Sequence, residues 1–186
     1  MSYFRKLISN INLGQVLPSH LHIRYGRQGD DGVFRGIQYH VADGDVENIY
    51  QIIPERYRQD FNTLVMSINR DVPPHTDSGI LASINLYVAA GNCETVFYAP
   101  KADGKVVTEQ IANQTNGAIF DINCLDAVSK FTAKDGEAYI LDVTHPHGVF
   151  NLANIAVQRR AVVLQTRIHS YDRVCEMLLE TGYLDQ

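Results

Sequence analysis

Tryptophan is absent from this chain, and cysteine is scarce, with 3 residues among 186. Cys93, Cys124 and Cys175 are odd in number, widely spaced and form no Cys-x-x-Cys pair. They build neither a disulfide framework nor a thiolate metal site, so the expectation is buried thiols in a reduced, cytoplasmic setting. No stretch offers 18 consecutive apolar residues, and the Leu7-Ile8 run behind Arg5 and Lys6 is broken at once by Ser9, Asn10 and Asn12. A membrane span and a signal-peptide core are therefore not expected. Positive charge is also in deficit: Lys and Arg number 16 against 21 Asp and Glu, a formal net charge of −5. That balance makes nucleic acid an unlikely partner, because a duplex is held chiefly by a basic face that meets its phosphates.

What is present is the apolar content of a soluble globular protein, 45% of residues. A chain of this length forms one ordinary domain, 1–186, and buries on the order of 70% of its unfolded surface without staples. No internal repeat, low-complexity tract or linker divides it. Residues 1–63 read as a flanking region, with short strand-like pieces at Leu21–Tyr25 and Gly36–His40. Helical stretches follow near Val46–Ile53 and, opened by Pro54, at Glu55–Phe61. From Leu64 to Ile168 the pattern predicts successive strands: 64–69, 81–89, 94–99, 106–111, 118–122, 137–143 and 160–168. Asp103-Gly104 and Asp135-Gly136 mark turns between them. The stretch Asn113–Lys130 reads as a loop, either a long hairpin connection or a substrate-side segment. Ser170 caps a last helix over 170–182, with Tyr171, Val174, Met177 and Leu178 on one stripe. Many short strands with glycine turns predict a mainly β sandwich or barrel.

The chemistry concentrates in two places. Val72-Pro73-Pro74 holds the chain extended into His75-Thr76-Asp77, and two residues of equal parity on an extended backbone project to one side. Asp77-Ser78-Gly79 then ends the strand. Far downstream, the apolar run 138–143 leads into His145-Pro146-His147-Gly148. His145 and His147 share parity, so face alone does not choose between them. His147 is preferred because Pro146 ends the strand and Gly148 leaves room at the mouth of the next, which makes His145 a neighbour that orients it. Two imidazoles and a carboxylate on one face of a metal leave the opposite face open, a set that suits ferrous iron. On the following strand Arg160 falls in register with Val162, Leu164, Thr166 and Ile168. Arg159 falls with Ala161, Val163, Gln165 and Arg167, which reads as the more solvent-tolerant face. A guanidinium at the head of the apolar face needs an anion to meet it, so Arg160 is the expected anion clamp, with Arg159 beside it as the alternative.

These residues resemble the 2-oxoglutarate and Fe(II)-dependent dioxygenase superfamily, whose pattern is His-x-Asp, a distal His and an Arg on the next strand. Pro73-Pro74-His75-Thr76-Asp77 and His147-Gly148-Val149-Phe150-Asn151, followed by Arg160-Ala161-Val162-Val163-Leu164, are most similar to its aspartyl/asparaginyl β-hydroxylase and bacterial proline hydroxylase branch. The resemblance covers about residues 66–167. It implies a double-stranded β-helix of the jelly-roll or cupin-like kind, with flanking N-terminal helices and a C-terminal helix. It further implies iron held by His75, Asp77 and His147, and the distal carboxylate of 2-oxoglutarate held by Arg160, with Asn85 and Tyr87 as further co-substrate contacts. The implied reaction consumes O2 and 2-oxoglutarate, releases succinate and CO2, and hydroxylates a C–H bond of an amino acid or a peptide side chain. The rival expectations are a cupin-like metal-binding or isomerase protein that uses no 2-oxoglutarate, and an oxygenase that acts on a nucleobase.

Overall fold

The computed structural model describes residues 2–8, 23–25, 37–41, 47–77, 79–102, 108–110, 117–152 and 159–185. The first half contributes β1 (Phe4–Lys6), β2 (Ile23–Tyr25), β3 (Ile37–Val41), a short helix α1 (Glu47–Tyr50), a 3-10 helix at Glu55–Asp60, β4 (Phe61–Ile68), β5 (Val72–His75) and β6 (Ala82–Ala89). There follow β7 (Cys93–Pro100), β8 (Thr108–Gln110), β9 (Ala118–Phe120), β10 (Leu125–Thr132), β11 (Ala138–Leu141), β12 (His147–Asn151), β13 (Arg159–Thr166) and helix α2 (Tyr171–Glu180).

The strands form two sheets in which every pairing is antiparallel, in the orders β1-β11-β6-β13-β4-β3-β2 and β10-β7-β12-β5-β9-β8. From β4 to β7, and again from β10 to β13, the chain alternates between the two sheets, which is the winding of a double-stranded β-helix. The fold is therefore mainly β, as the strand pattern and the motif order imply. The N-terminal region does more than flank this core, since β1, β2 and β3 extend the first sheet at both of its edges. The segment 125–130, expected within a loop, is part of β10 and pairs along the length of β7. Its alternation is hidden because β10 is an edge strand with a bulge between Ala127 and Ser129 and only Leu125 and Phe131 well buried. The rest of that expected loop, 111–116, and the Asp103-Gly104 turn lie outside the described residues. Asp135-Gly136 does turn the chain: Gly136 has φ +83° and the Asp135 carboxylate accepts from Ala90 N–H at 2.7 Å.

Two apolar layers sit on opposite faces of the first sheet. Ile84, Leu86, Ile140, Val162 and Leu164 face outward and are covered by Val174, Met177 and Leu178 of α2 together with Ile49, Ile52 and Ile53. Met66, Tyr87, Leu141, Ala161 and Val163 face inward, meeting Val72, Phe97 and Val149 of the second sheet. Ser170 caps α2 by accepting from Arg173 N–H. Because both faces of β13 are buried, neither parity of that strand is a solvent face. This decides which arginine enters the barrel.

Candidate metal centre and anion pocket

β5 ends on His75 and β12 begins on His147, and the two are direct partners across the second sheet. Their rings stand 4.5 Å apart between centroids, with Phe97 from β7 forming the wall behind His147 at 5.6 Å. In each ring Nδ1 is committed to a backbone carbonyl, His75 donating to Pro73 at 2.9 Å and His147 to His145 at 3.0 Å. With the proton on Nδ1, the Nε2 atom of each ring is the one turned toward Asp77, the arrangement that metal-binding histidines require. Asp77 follows in the crossover to β6 and is positioned by its N–H donating to Val143 O, while Thr76 is tied to Ala118 through both N–H and hydroxyl. Its Oδ1 lies 3.5 Å from His75 Nε2 and 4.0 Å from His147 Nε2.

The donor atoms of His75, Asp77 and His147 thus lie within 4.8 Å of one another, and this is the one such cluster among the described residues. Ligand bonds of about 2.0–2.2 Å place neighbouring donors roughly 3–4 Å apart, so small ring rotations close the set around one ion. The electrostatics fit the same use. Burial, then the neighbouring His75, pushes the His147 imidazole down to about 4, so it is neutral and ligand-ready near neutral pH. Burial pushes the Asp77 carboxyl up, but the neighbouring His75 and then His147 outweigh it and hold Asp77 below its ordinary range. His145 points elsewhere: its Nδ1 meets Asp142 at 3.1 Å, and its ring packs edge-on against Tyr3. It acts on the cluster through its carbonyl alone, which fixes the His147 ring.

The cavity that contains the cluster is also lined by Ser83, Asn85 and Tyr87 of β6, Thr95 of β7, and Arg159, Val163 and Gln165 of β13. Asn85 and Tyr87, expected as co-substrate contacts, both line this cavity and are linked in a ladder in which Ser83 Oγ donates to Asn85 Oδ1 at 2.8 Å and Asn85 Nδ2 donates to Tyr87 OH at 3.4 Å. Arg160 is not in the cavity; Arg159 is. Arg159 is 1% exposed, its Nη1 donates to Thr95 Oγ1 at 3.0 Å, and its guanidinium lies over the Tyr87 ring at 4.4 Å. Its buried Nε has no partner, and no carboxylate pairs with it among the described residues. The physical reason is the outer layer: Val162 and Leu164, the more apolar parity, are buried under α2 rather than inside the barrel. Arg160 shares their side of the sheet, so the arginine that lines the cavity is Arg159 and not the Arg160 expected there. Thr95 went unnoticed in the sequence, although its parity with Cys93 and Phe97, both inward-facing, was a usable signal.

No family model matches the chain, and no curated protein matches it. Among solved structures the chain is similar to vicilin from Corylus avellana (hazelnut), at 13% identity and TM-score 0.42, over 81% of this chain and 32% of that one. It is similar also to vicilin from Solanum melongena, at 16% identity and TM-score 0.38, over 78% and 30%. A third is a mutant of oxalate decarboxylase from Bacillus subtilis, at 14% identity and TM-score 0.35, over 70% and 25%. The chain thus matches no more than about a third of the length of these proteins.

Proposed function

We propose that this protein is an Fe(II)- and 2-oxoglutarate-dependent oxygenase that hydroxylates a C–H bond of an amino acid or a peptide side chain. The observation that carries this reading is Arg159: a buried guanidinium without a carboxylate partner among the described residues, in the same cavity as two neutral imidazoles and a carboxylate. A site that held only a metal would have no use for it, whereas a dicarboxylate that meets the metal with one end needs a cation at the other. His75, Asp77 and His147 would hold the ion and leave one face open to co-substrate and O2. Bound ferrous iron supplies the redox chemistry that couples conversion of 2-oxoglutarate and O2 to succinate and CO2 with oxygen insertion into the C–H bond. Arg159, kept in place by Thr95 and Tyr87, fixes the far carboxylate, and the Asn85–Tyr87 ladder supplies neutral donors beside it. The apolar walls from Leu141, Val143, Val149 and Val163 exclude water from the space between.

A second reading is a cupin-like metal-binding protein that uses Mn, Ni or Zn and no oxo acid. Its support is that Arg159 already has Thr95 and the Tyr87 ring as partners, which a purely structural arginine would also show. Anaerobic titration with Fe(II) and then 2-oxoglutarate separates the two. The oxygenase reading expects a weak visible charge-transfer band that needs both additions and vanishes in His75→Ala, Asp77→Ala and His147→Ala. Tight metal binding that 2-oxoglutarate neither perturbs nor strengthens would establish the second reading in its place.

A further inference from the structure

The described residues that line the cavity differ in exposure. Arg159, Tyr87 and Thr95 are buried, while the Asp77 side chain keeps 23% of its exposure and Gln165 is half-buried. Of these lining residues, Asp77 and Gln165 are the more exposed.

Gln165 in β13 and Arg167, just past its end, carry polar groups that no described residue engages. Gln165 lines the cavity opposite Ser83 of β6. Arg167, two residues on and exposed, lays its guanidinium against Gly79 in the crossover that carries Asp77 to β6. A Cβ added at Gly79 would fall 2.8 Å from Arg167 Nη1 and 3.8 Å from its Cζ. Gly79 also has φ +68°, so its backbone calls for glycine. Arg56 pairs with Glu180 and Arg173 with Glu176, whereas Arg167, like the exposed Arg70, meets no carboxylate among the described residues. Asp77 and Gly79 are two residues apart, at most about 7 Å of chain, which puts the guanidinium on the order of 10 Å from the metal-binding carboxylate. A molecule of amino-acid length spans that separation.

We propose that Arg167 and Gln165 form a carboxylate-binding subsite on the more exposed side of the cavity, which selects a substrate whose free carboxylate lies a few bonds from the C–H to be hydroxylated; this rests on the oxygenase reading above. The planar guanidinium takes a carboxylate in a two-point contact and the neutral Gln165 amide adds a donor without further charge, a combination suited to a single negative charge. That carboxylate is either the α-carboxylate of a free amino acid or the side chain of Asp or Glu in a peptide.

The test is succinate release by the full chain with Fe(II) and 2-oxoglutarate against three sets of probes: free L-amino acids, their C-terminal amides, and N-acetylated, C-amidated peptides containing Asp or Glu. At least one carboxylate-bearing probe should stimulate release, and its carboxamide should lose about tenfold or more in kcat/KM. Arg167→Gln should raise the KM for that probe about ten- to a hundredfold, with Arg167→Lys recovering part of the loss. Calorimetry with the Mn(II)-loaded variant should give an unaltered Kd for 2-oxoglutarate, because Arg159 holds that molecule at the other end. Stimulation by a free amino acid or by a capped Asp or Glu peptide identifies the source of the carboxylate. Equal activity of carboxylate and carboxamide, an unchanged KM in Arg167→Gln, or no stimulation by any carboxylate while 2-oxoglutarate still binds would overturn the subsite. Failure of the Mn(II)-loaded wild-type chain to bind 2-oxoglutarate at all would overturn the oxygenase reading instead.

Discussion

Adjacent arginines with opposite orientations give the sharpest contrast available at single residues. Arg159→Gln should weaken 2-oxoglutarate binding about ten- to a hundredfold, since a charge-assisted contact contributes about 1.5–3 kcal/mol, while Arg160→Gln should change it little. Calorimetry on the metal-loaded variants reads this directly, and the reverse ranking would return Arg160 to the barrel. A second residue-scale consequence follows from His147, whose pKa is pushed by burial down to about 4 from an ordinary 6.5. Between those values the unfolded chain binds a proton that the folded chain refuses, so stability rises with pH across that window. The metal-free protein should therefore lose on the order of 3 kcal/mol as pH falls from about 6.5 towards 4, with Asp77, held below its ordinary range, adding to the loss at still lower pH. Urea melts at a series of pH values test this. A flat profile in the wild type, or an unchanged slope in His147→Gln, would count against the buried neutral imidazole.

At the scale of elements, the site depends on how closely β12 lies against β5. Gly148 follows His147 in β12, and a Cβ there would fall 2.9 Å from Val72 O and 3.1 Å from the Phe150 ring. The first of these is backbone and cannot swing aside, so Gly148→Ala should push β12 away from β5 and separate His147 from His75. Overpacking of this kind costs about 1–3 kcal/mol of stability. The expected result is lower urea stability together with weaker binding of Mn(II), measured by calorimetry. Loss of stability with unaltered metal affinity would show that the imidazole pair does not depend on this strand contact.

For the whole molecule, two layers buried on either side of one sheet make the barrel stable without covalent staples. Cys93 and Cys175 are buried in different layers, Cys124 is half-buried, and all three are free. Under native conditions a thiol reagent should therefore modify Cys124 quickly and the other two only on unfolding, and a reductant should leave the thermal midpoint where it was. Rapid labelling of all three would mean that the layers open far more readily than their burial implies. Among the described residues no helix is long and apolar enough to cross a membrane.

The sequence by itself determined the strand-rich class, the approximate positions of β4, β6, β7, β11 and β13, the Ser170 cap, and the choice of His75, Asp77 and His147 as candidate metal ligands. Those features are local: alternation, turn chemistry and the parity of neighbouring residues act over a few positions. The tertiary structure decided the rest. Which parity of β13 faces the cavity depended on α2 covering Val162 and Leu164, a contact with a segment later in the chain that alternation cannot reveal. The partition between His145 and His147 depended on the pairing of β12 with β5, far apart in sequence. β10 escaped notice because an edge strand with a bulge carries little apolar alternation, although its backbone is fully committed to β7. Thr95 and Gln165, ordinary polar residues in strands, acquired meaning only when two sheets closed around one cavity and brought them level with Arg159 and Asp77. A local pattern specifies what a residue can do, and only the packing of distant segments specifies what it faces.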